Sequence, residues 1–150
     1  MSFAYQSVAR AYANVGLETE VSTVDPAHLI VMLYEGALLS IARAGHHMQN
    51  RDVQRKGEAV SKAIQIIDEG LKASLEIQRG GDLARQLWQL YEYMCRRLLL
   101  ASVNNEQDGF DEVTRLLSDL KEAWSSLGRH AAAGMSVGNI VQMTTRTELR

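Results

Sequence analysis

One proline, Pro26, and one cysteine, Cys95, are all that the 150 residues hold of either type. A single thiol excludes an internal disulfide and any metal cluster built from several cysteines. With one ring-locked residue the chain has few enforced breaks, and its stock of alanine and leucine favours long helices. Neither sign of charge dominates: 16 Lys and Arg face 18 Asp and Glu, for a formal net charge of −2. A protein that tracks phosphates carries a basic excess on one face, so nucleic acid is not an expected partner. The longest uninterrupted apolar run, Leu29 to Tyr34, is far short of the roughly 20 residues that a bilayer crossing needs. The first ten residues show no charged stretch leading into an apolar one, as an export signal would. A cytoplasmic protein without membrane insertion is expected, and the length suits one domain.

Asp25-Pro26 is a strong helix start. Asp can accept from the free N–H groups of the first turn, and proline at the first helical position forfeits no hydrogen bond. Ile30, Leu33, Ala37, Ile41, Ala44 and Met48 then recur at steps of three and four, and Asn50 is a natural stop. Asp52 caps a second helix predicted to reach Gly80-Gly81, where the chain must turn. Asp82 opens a third, carrying Leu83, Leu87, Leu90, Met94, Leu98 and Ala101 and ending near Asn104-Asn105. The fourth has the cleanest period, Phe110, Val113, Leu117, Leu120, Trp124 and Leu127, with Gly128 as its C-cap.

No segment alternates with period two, so strands are not expected. Four helices on short connections pack antiparallel, up-down-up-down. The predicted fold is therefore all-α, an antiparallel four-helix bundle over residues 25–128. Ahead of it, residues 1–24 form a short amphipathic arm with Tyr5, Val8, Tyr12 and Val15 on one face. Behind it, residues 129–150 hold few anchors and are expected to form a mobile tail.

Assembled chemistry is missing. A di-iron bundle needs Glu-x-x-His pairs, yet three residues before His28, His46, His47 and His130 stand Asp25, Arg43, Ala44 and Leu127. Adjacent His46 and His47 point about 100° apart around a helix and cannot chelate one ion from one face. Cys95 lies mid-helix without a nearby histidine and reads as a small hydrophobe. Gly80-Gly81 lacks the strand that phosphate loops follow, and Arg96-Arg97 reads as a solvated helix edge. No metal, cofactor or catalytic activity is expected.

Apolar surface, by contrast, is in surplus. The second helix carries one stripe of Val60, Ile64, Ile67, Leu71 and Leu75. Beside it runs another of Ala59, Ala63, Ile66, Gly70, Ala73 and Ile77. Together they exceed the roughly 100° arc that a surface helix buries. The third helix repeats the excess with Trp88, Tyr91, Cys95 and Leu99. The pattern leaves two readings open. A central helix touching two neighbours needs a broad buried arc, or the small residues form a trough that receives another helix. An exposed strip of this length is an aggregation liability unless covered, and the N-terminal arm is the candidate lid.

Several blocks, in order, carry a family likeness: Asp25-Pro26-Ala27-His28-Leu29-Ile30, Met32-Leu33-Tyr34-Glu35-Gly36-Ala37, Lys56-Gly57-Glu58-Ala59 and Ser61-Lys62-Ala63-Ile64-Gln65-Ile66-Ile67. Gly80-Gly81-Asp82-Leu83-Ala84, Leu90-Tyr91-Glu92-Tyr93-Met94-Cys95-Arg96-Arg97-Leu98 and a closing segment from Glu112-Val113 to Trp124 complete them. From about Tyr12 through Trp124 the chain resembles the flagellar secretion chaperone family, the FliS proteins. The resemblance implies an antiparallel helical bundle with no catalytic site. It also implies a cytosolic chaperone that binds the disordered C-terminal segment of flagellin, blocks premature polymerisation and delivers it to the type III export gate. By the same resemblance the arm covers part of the groove in the free protein, and Tyr5, Val8 and Tyr12 are implicated in the lid and in gate docking. The competing expectation is a structural or regulatory bundle that self-associates as a homodimer through the same stripe.

Overall fold

Asp25 behaves as its place before Pro26 predicts: its Oδ1 accepts from the His28 N–H at 2.9 Å. Asp52 does the same for Arg55 at 3.1 Å, and Asn50 closes the helix between them. The computed structural model describes the backbone of residues 3–16, 25–75 and 77–130, with the side chains of 8–16, 25–75 and 80–126. Those residues form helices α1 (Phe3–Asn14), α2 (Pro26–Gln49), α3 (Val53–Gln65), α4 (Ile77–Asn104) and α5 (Gln107–His130). A π-helical segment, Ile66–Lys72, continues α3. No strand occurs among the described residues, and the fold is all-α.

Contacts between helices fix their directions. Lys56, early in α3, reaches the carbonyl of Ser102, late in α4, at 2.8 Å. Further along, Cys95 Sγ lies 3.9 Å from the Ile64 carbonyl and Lys72 pairs with Glu92. The two helices are therefore antiparallel. Arg97–Glu112 at 2.8 Å with Gly109 set against Ala101, and Lys121–Glu35 at 4.0 Å with Gln107 set against Gly45, give the same relation for α4 with α5 and for α5 with α2. Helix α2 packs against α1, α3, the π-helical segment and α5.

By length and composition α2 is apolar enough to cross a membrane, which a count of uninterrupted apolar residues misses. Here its apolar side is spent on the core: Leu29, Leu33, Tyr34, Ala37, Ile41 and Ala44 are buried. A polar seam runs through that core. Tyr34 and Tyr91 hydroxyls lie 2.5 Å apart, and the Trp124 indole hydrogen-bonds to Tyr34. Indole N–H only donates, so Tyr34 accepts from it. Burial pushes both tyrosine pKa values well up.

Two boundaries depart from expectation. The second predicted helix stops at Lys72, not at Gly80-Gly81, and Ser74 ends it by bonding through Oγ to the Leu71 carbonyl at 2.7 Å. Asp82 keeps its predicted place: Gly81, with φ 58° and ψ −135°, leaves the helical region and divides α4 into a short opening piece from Ile77 and the long helix that starts directly after it. Gly128 lies inside α5, which runs to His130. The predicted tail beyond that, residues 131–150, lies outside the described residues.

Two cations also escaped the pattern. Arg97 is half-buried and paired with Glu112 and Glu106, so only Arg96 is the solvated edge. Lys56 is 7% exposed, and its ammonium donates to the Ser102 carbonyl and to Asn105 Oδ1 at 2.7 Å. It thereby satisfies the last turn of α4, where free carbonyls favour a positive charge.

Candidate functional site

Val8, Ala11, Tyr12 and Val15 follow one another at steps of three, one and three, which puts them on one face, and all four are buried. That face seats α1 against α2 and the π-helical segment. Gly70 makes the close approach there: a Cβ at that position would lie 3.1 Å from Leu33 Cδ2 and 3.3 Å from Val15 Cγ1. Gly16, with φ +66°, stands just past the end of α1. Two polar contacts complete the seat. Lys62 Nζ donates to the Val15 carbonyl, and Gln65 Nε2 donates to the Asn14 carbonyl at 3.4 Å. Burial, and then the charge of Glu35, raise the pKa of the Tyr12 hydroxyl.

The ten predicted groove residues fall into separate environments. Ala63, Ile66 and Gly70 are buried, with α2 supplying one wall at Gly70 through Leu33 and the arm supplying the cover through Val15. The two readings of the second stripe thus meet in one place, part bundle core and part arm seat. The π-helical turn explains why both stripes turn inward. Its wider i→i+5 spacing gathers Ile66, Ile67, Gly70 and Leu71 into a narrower arc than an α-helical turn would, and all four are buried. Ala59 is half-buried and Ala73 is exposed. The side chains of Ile77 and, in the arm, Tyr5 lie outside the described residues.

On α4, Tyr91 is a core residue bonded to Tyr34, not part of an open groove. Cys95 is half-buried, and burial pushes its thiol up to about 12, which leaves it protonated and a poor nucleophile near neutral pH. Trp88 is 37% exposed, with the Lys72 ammonium 4.3 Å from its ring centroid. Burial works against that ammonium, but Glu92 and Asp68 outweigh it and hold its pKa up. Leu99 and, one turn on, Val103 are 55% and 70% exposed. The α4 half of the prediction therefore includes an uncovered apolar stripe, while the α3 half is occupied.

Sequence reasoning passed over Lys62, Gln65, Leu33 and Val103 as parts of this surface. The signal for the first two was present: they border the small-residue stripe three positions apart, on one side of a helix. No group of His, Cys, Asp or Glu able to hold a metal ion occurs among the described residues. What the arrangement offers is apolar contact and donors for main-chain carbonyls, the means of gripping a helix.

Residues 8–131 match the family described as Flagellar protein FliS. The chain belongs to the FliS family. It is 46% identical over 123 residues to the flagellar secretion chaperone FliS of Salmonella typhimurium, across 82% of this chain and 91% of that protein. Over 115 residues it is 39% identical to the Escherichia coli protein of the same name, across 77% and 85%. The flagellar secretion chaperone FliSB of Pseudomonas aeruginosa is likewise 39% identical over 118 residues, across 79% and 93%. All three are named as chaperones, a role without catalysis. The FliS match takes in Val8 and Tyr12, so the anchoring residues of α1 lie within the matched span.

Proposed function

We propose that this FliS-family protein is a cytosolic, flagellin-specific type III export chaperone. It binds the disordered C-terminal segment of flagellin, prevents premature polymerisation and delivers its client to the flagellar export gate. One observation supports this most: an amphipathic helix of the chain itself occupies the small-residue face, anchored by Val8, Ala11, Tyr12 and Val15. At 12 residues such a helix is marginal on its own, so a longer client helix with the same anchor spacing is a credible replacement. Ala63, Ile66 and Gly70 then receive the client once the arm leaves, and Trp88 and Leu99 extend its path along α4. Ordering a disordered client costs about 2–5 kcal/mol of the gross interaction, which keeps release within reach during export. Val8 and Tyr12, freed from the seat, become available for docking at the gate.

Calorimetric titration with a flagellin C-terminal peptide tests the reading. A one-to-one complex is expected, and Leu99→Asp should weaken it at least tenfold. That substitution sits on exposed surface, where stability changes by only about 0.5 kcal/mol. Absence of binding, together with a concentration-dependent homodimer abolished by Leu99→Asp, would instead establish the self-associating bundle.

A further inference from the structure

The arm is not held by apolar contact alone. Among the described residues, two polar bonds reach it at its C-terminal end, on the carbonyls of Asn14, the last residue of α1, and of Val15 just beyond it, and both come from α3, one turn apart. A helix terminus leaves its final carbonyls without intrahelical partners, and an ammonium placed there also meets the negative end of the helix dipole. Lys62 supplies that ammonium, and Gly16, with φ +66°, follows Val15 directly. We infer that Lys62, assisted by Gln65, is a carbonyl clamp that sets how often the arm vacates the face at Gly70, and so regulates access of a client helix to it. This rests on the proposed reading that arm and client compete for one face.

The geometry separates this role from bundle stability. Lys62 and Gln65 are half-buried and direct these bonds to α1. The joint between α3 and α4 is held elsewhere, by Lys56 at one end and by Lys72 with Glu92 at the other. Removing the clamp therefore shifts the docked–undocked equilibrium of one short helix. A segment that gains a surface only when the arm is away binds with an apparent dissociation constant divided by the vacant fraction. Raising that fraction tightens client binding with no new contact to the client.

Hydrogen exchange of the full chain, without client, reads the clamp directly. Lys62→Met keeps most of the stem and removes the charge. Loss of a charge-assisted bond should speed exchange of the amides of Phe3–Asn14 about tenfold, while those of α2 and α5 keep their rates. Lys62→Arg should restore part of the protection. Unchanged rates in α1 overturn the clamp, and so does an equal rise in every helix, which would mark Lys62 as a general stabiliser. Titration of the flagellin peptide into the same variants is read separately, with up to tenfold tighter binding expected. Faster α1 exchange with unaltered peptide affinity leaves the clamp standing and removes the shared face from the proposed function.

Discussion

The seam between α4 and α5 and the seat of α1 are both helices packed on helices, yet they are secured in different currencies. Across the first, Leu98, Ala101, Phe110 and Val113 are buried. Above them Arg97 pairs with Glu112 at 2.8 Å and Glu106 at 3.7 Å, and the Tyr93 hydroxyl lies 2.5 Å from Glu112. Only Asn105 and Glu106 separate the two helices, so parting them gains little chain freedom. Across the second, the apolar anchors are small or singly placed, the polar bonds end on main-chain carbonyls, and residues 15–25 intervene before α2. Any helix has carbonyls to offer, whereas a matched Arg–Glu–Tyr group exists in one place. A joint meant to last uses partners that cannot be substituted, and a joint meant to be vacated uses partners that any incoming helix can supply.

Four perturbations would break or sharpen this contrast. Phe110→Ala strikes the lasting seam and should cost about 3–5 kcal/mol. A fall in denaturation midpoint shared by every helical probe is the expected record, and loss confined to α5 would contradict it. Removal of residues 1–16 strikes the other seat. It should expose the Ala63–Ile66–Gly70 face to an apolar dye while residues 26–130 keep their helicity, and unaltered dye binding would show that the face is sealed without the arm.

Gly70→Ala is subtler. The new methyl meets Leu33 and Val15 at 3.1 and 3.3 Å, and of the two Val15 is the one free to retreat. A gain of about 1 kcal/mol in helix preference offsets the crowding. Little change in global stability is expected, with a measurable rise in the exchange of α1 amides.

The smallest effect concerns acid. The Tyr93 hydroxyl, and after it the Arg97 guanidinium, hold the Glu112 carboxyl below the usual carboxylate range despite partial burial. A carboxylate easier to ionise in the folded state contributes stability that is complete above the ordinary glutamate range. That contribution is lost as pH falls through the lowered folded value. Tyr93→Phe should therefore flatten the acid side of a stability–pH curve while leaving neutral behaviour nearly as before.

Much of the fold was legible because capping and periodicity are local. Asp25, Asn50 and Asp52 mark their boundaries through bonds within four residues, and the period of Phe110, Val113, Leu117 and Leu120 is the buried face of α5. The break after Lys72 was not legible. A π-helical turn arises when tertiary fit outweighs local preference, and no residue type signals it. The turn at Gly80-Gly81 was legible, because glycine takes the positive φ that separates the short piece from Ile77 from the long body of α4. The second stripe was visible, though what covers it was not: Leu33 and Val15 are remote in sequence from Gly70 and meet it only in the fold. Tyr91 was misplaced for a related reason, since its hydroxyl suits an open edge until Tyr34 meets it inside.

Cys95 leaves the molecule with a gauge of its own motion. Wedged against the Ile64 carbonyl and holding its proton tightly, the lone thiol should ignore alkylating reagents while α3 and α4 stay together. It becomes an ordinary thiol whenever they separate. Each modified molecule would then record one parting of those helices, so the pace of labelling would time how often the body of the protein breathes, with no probe added to it.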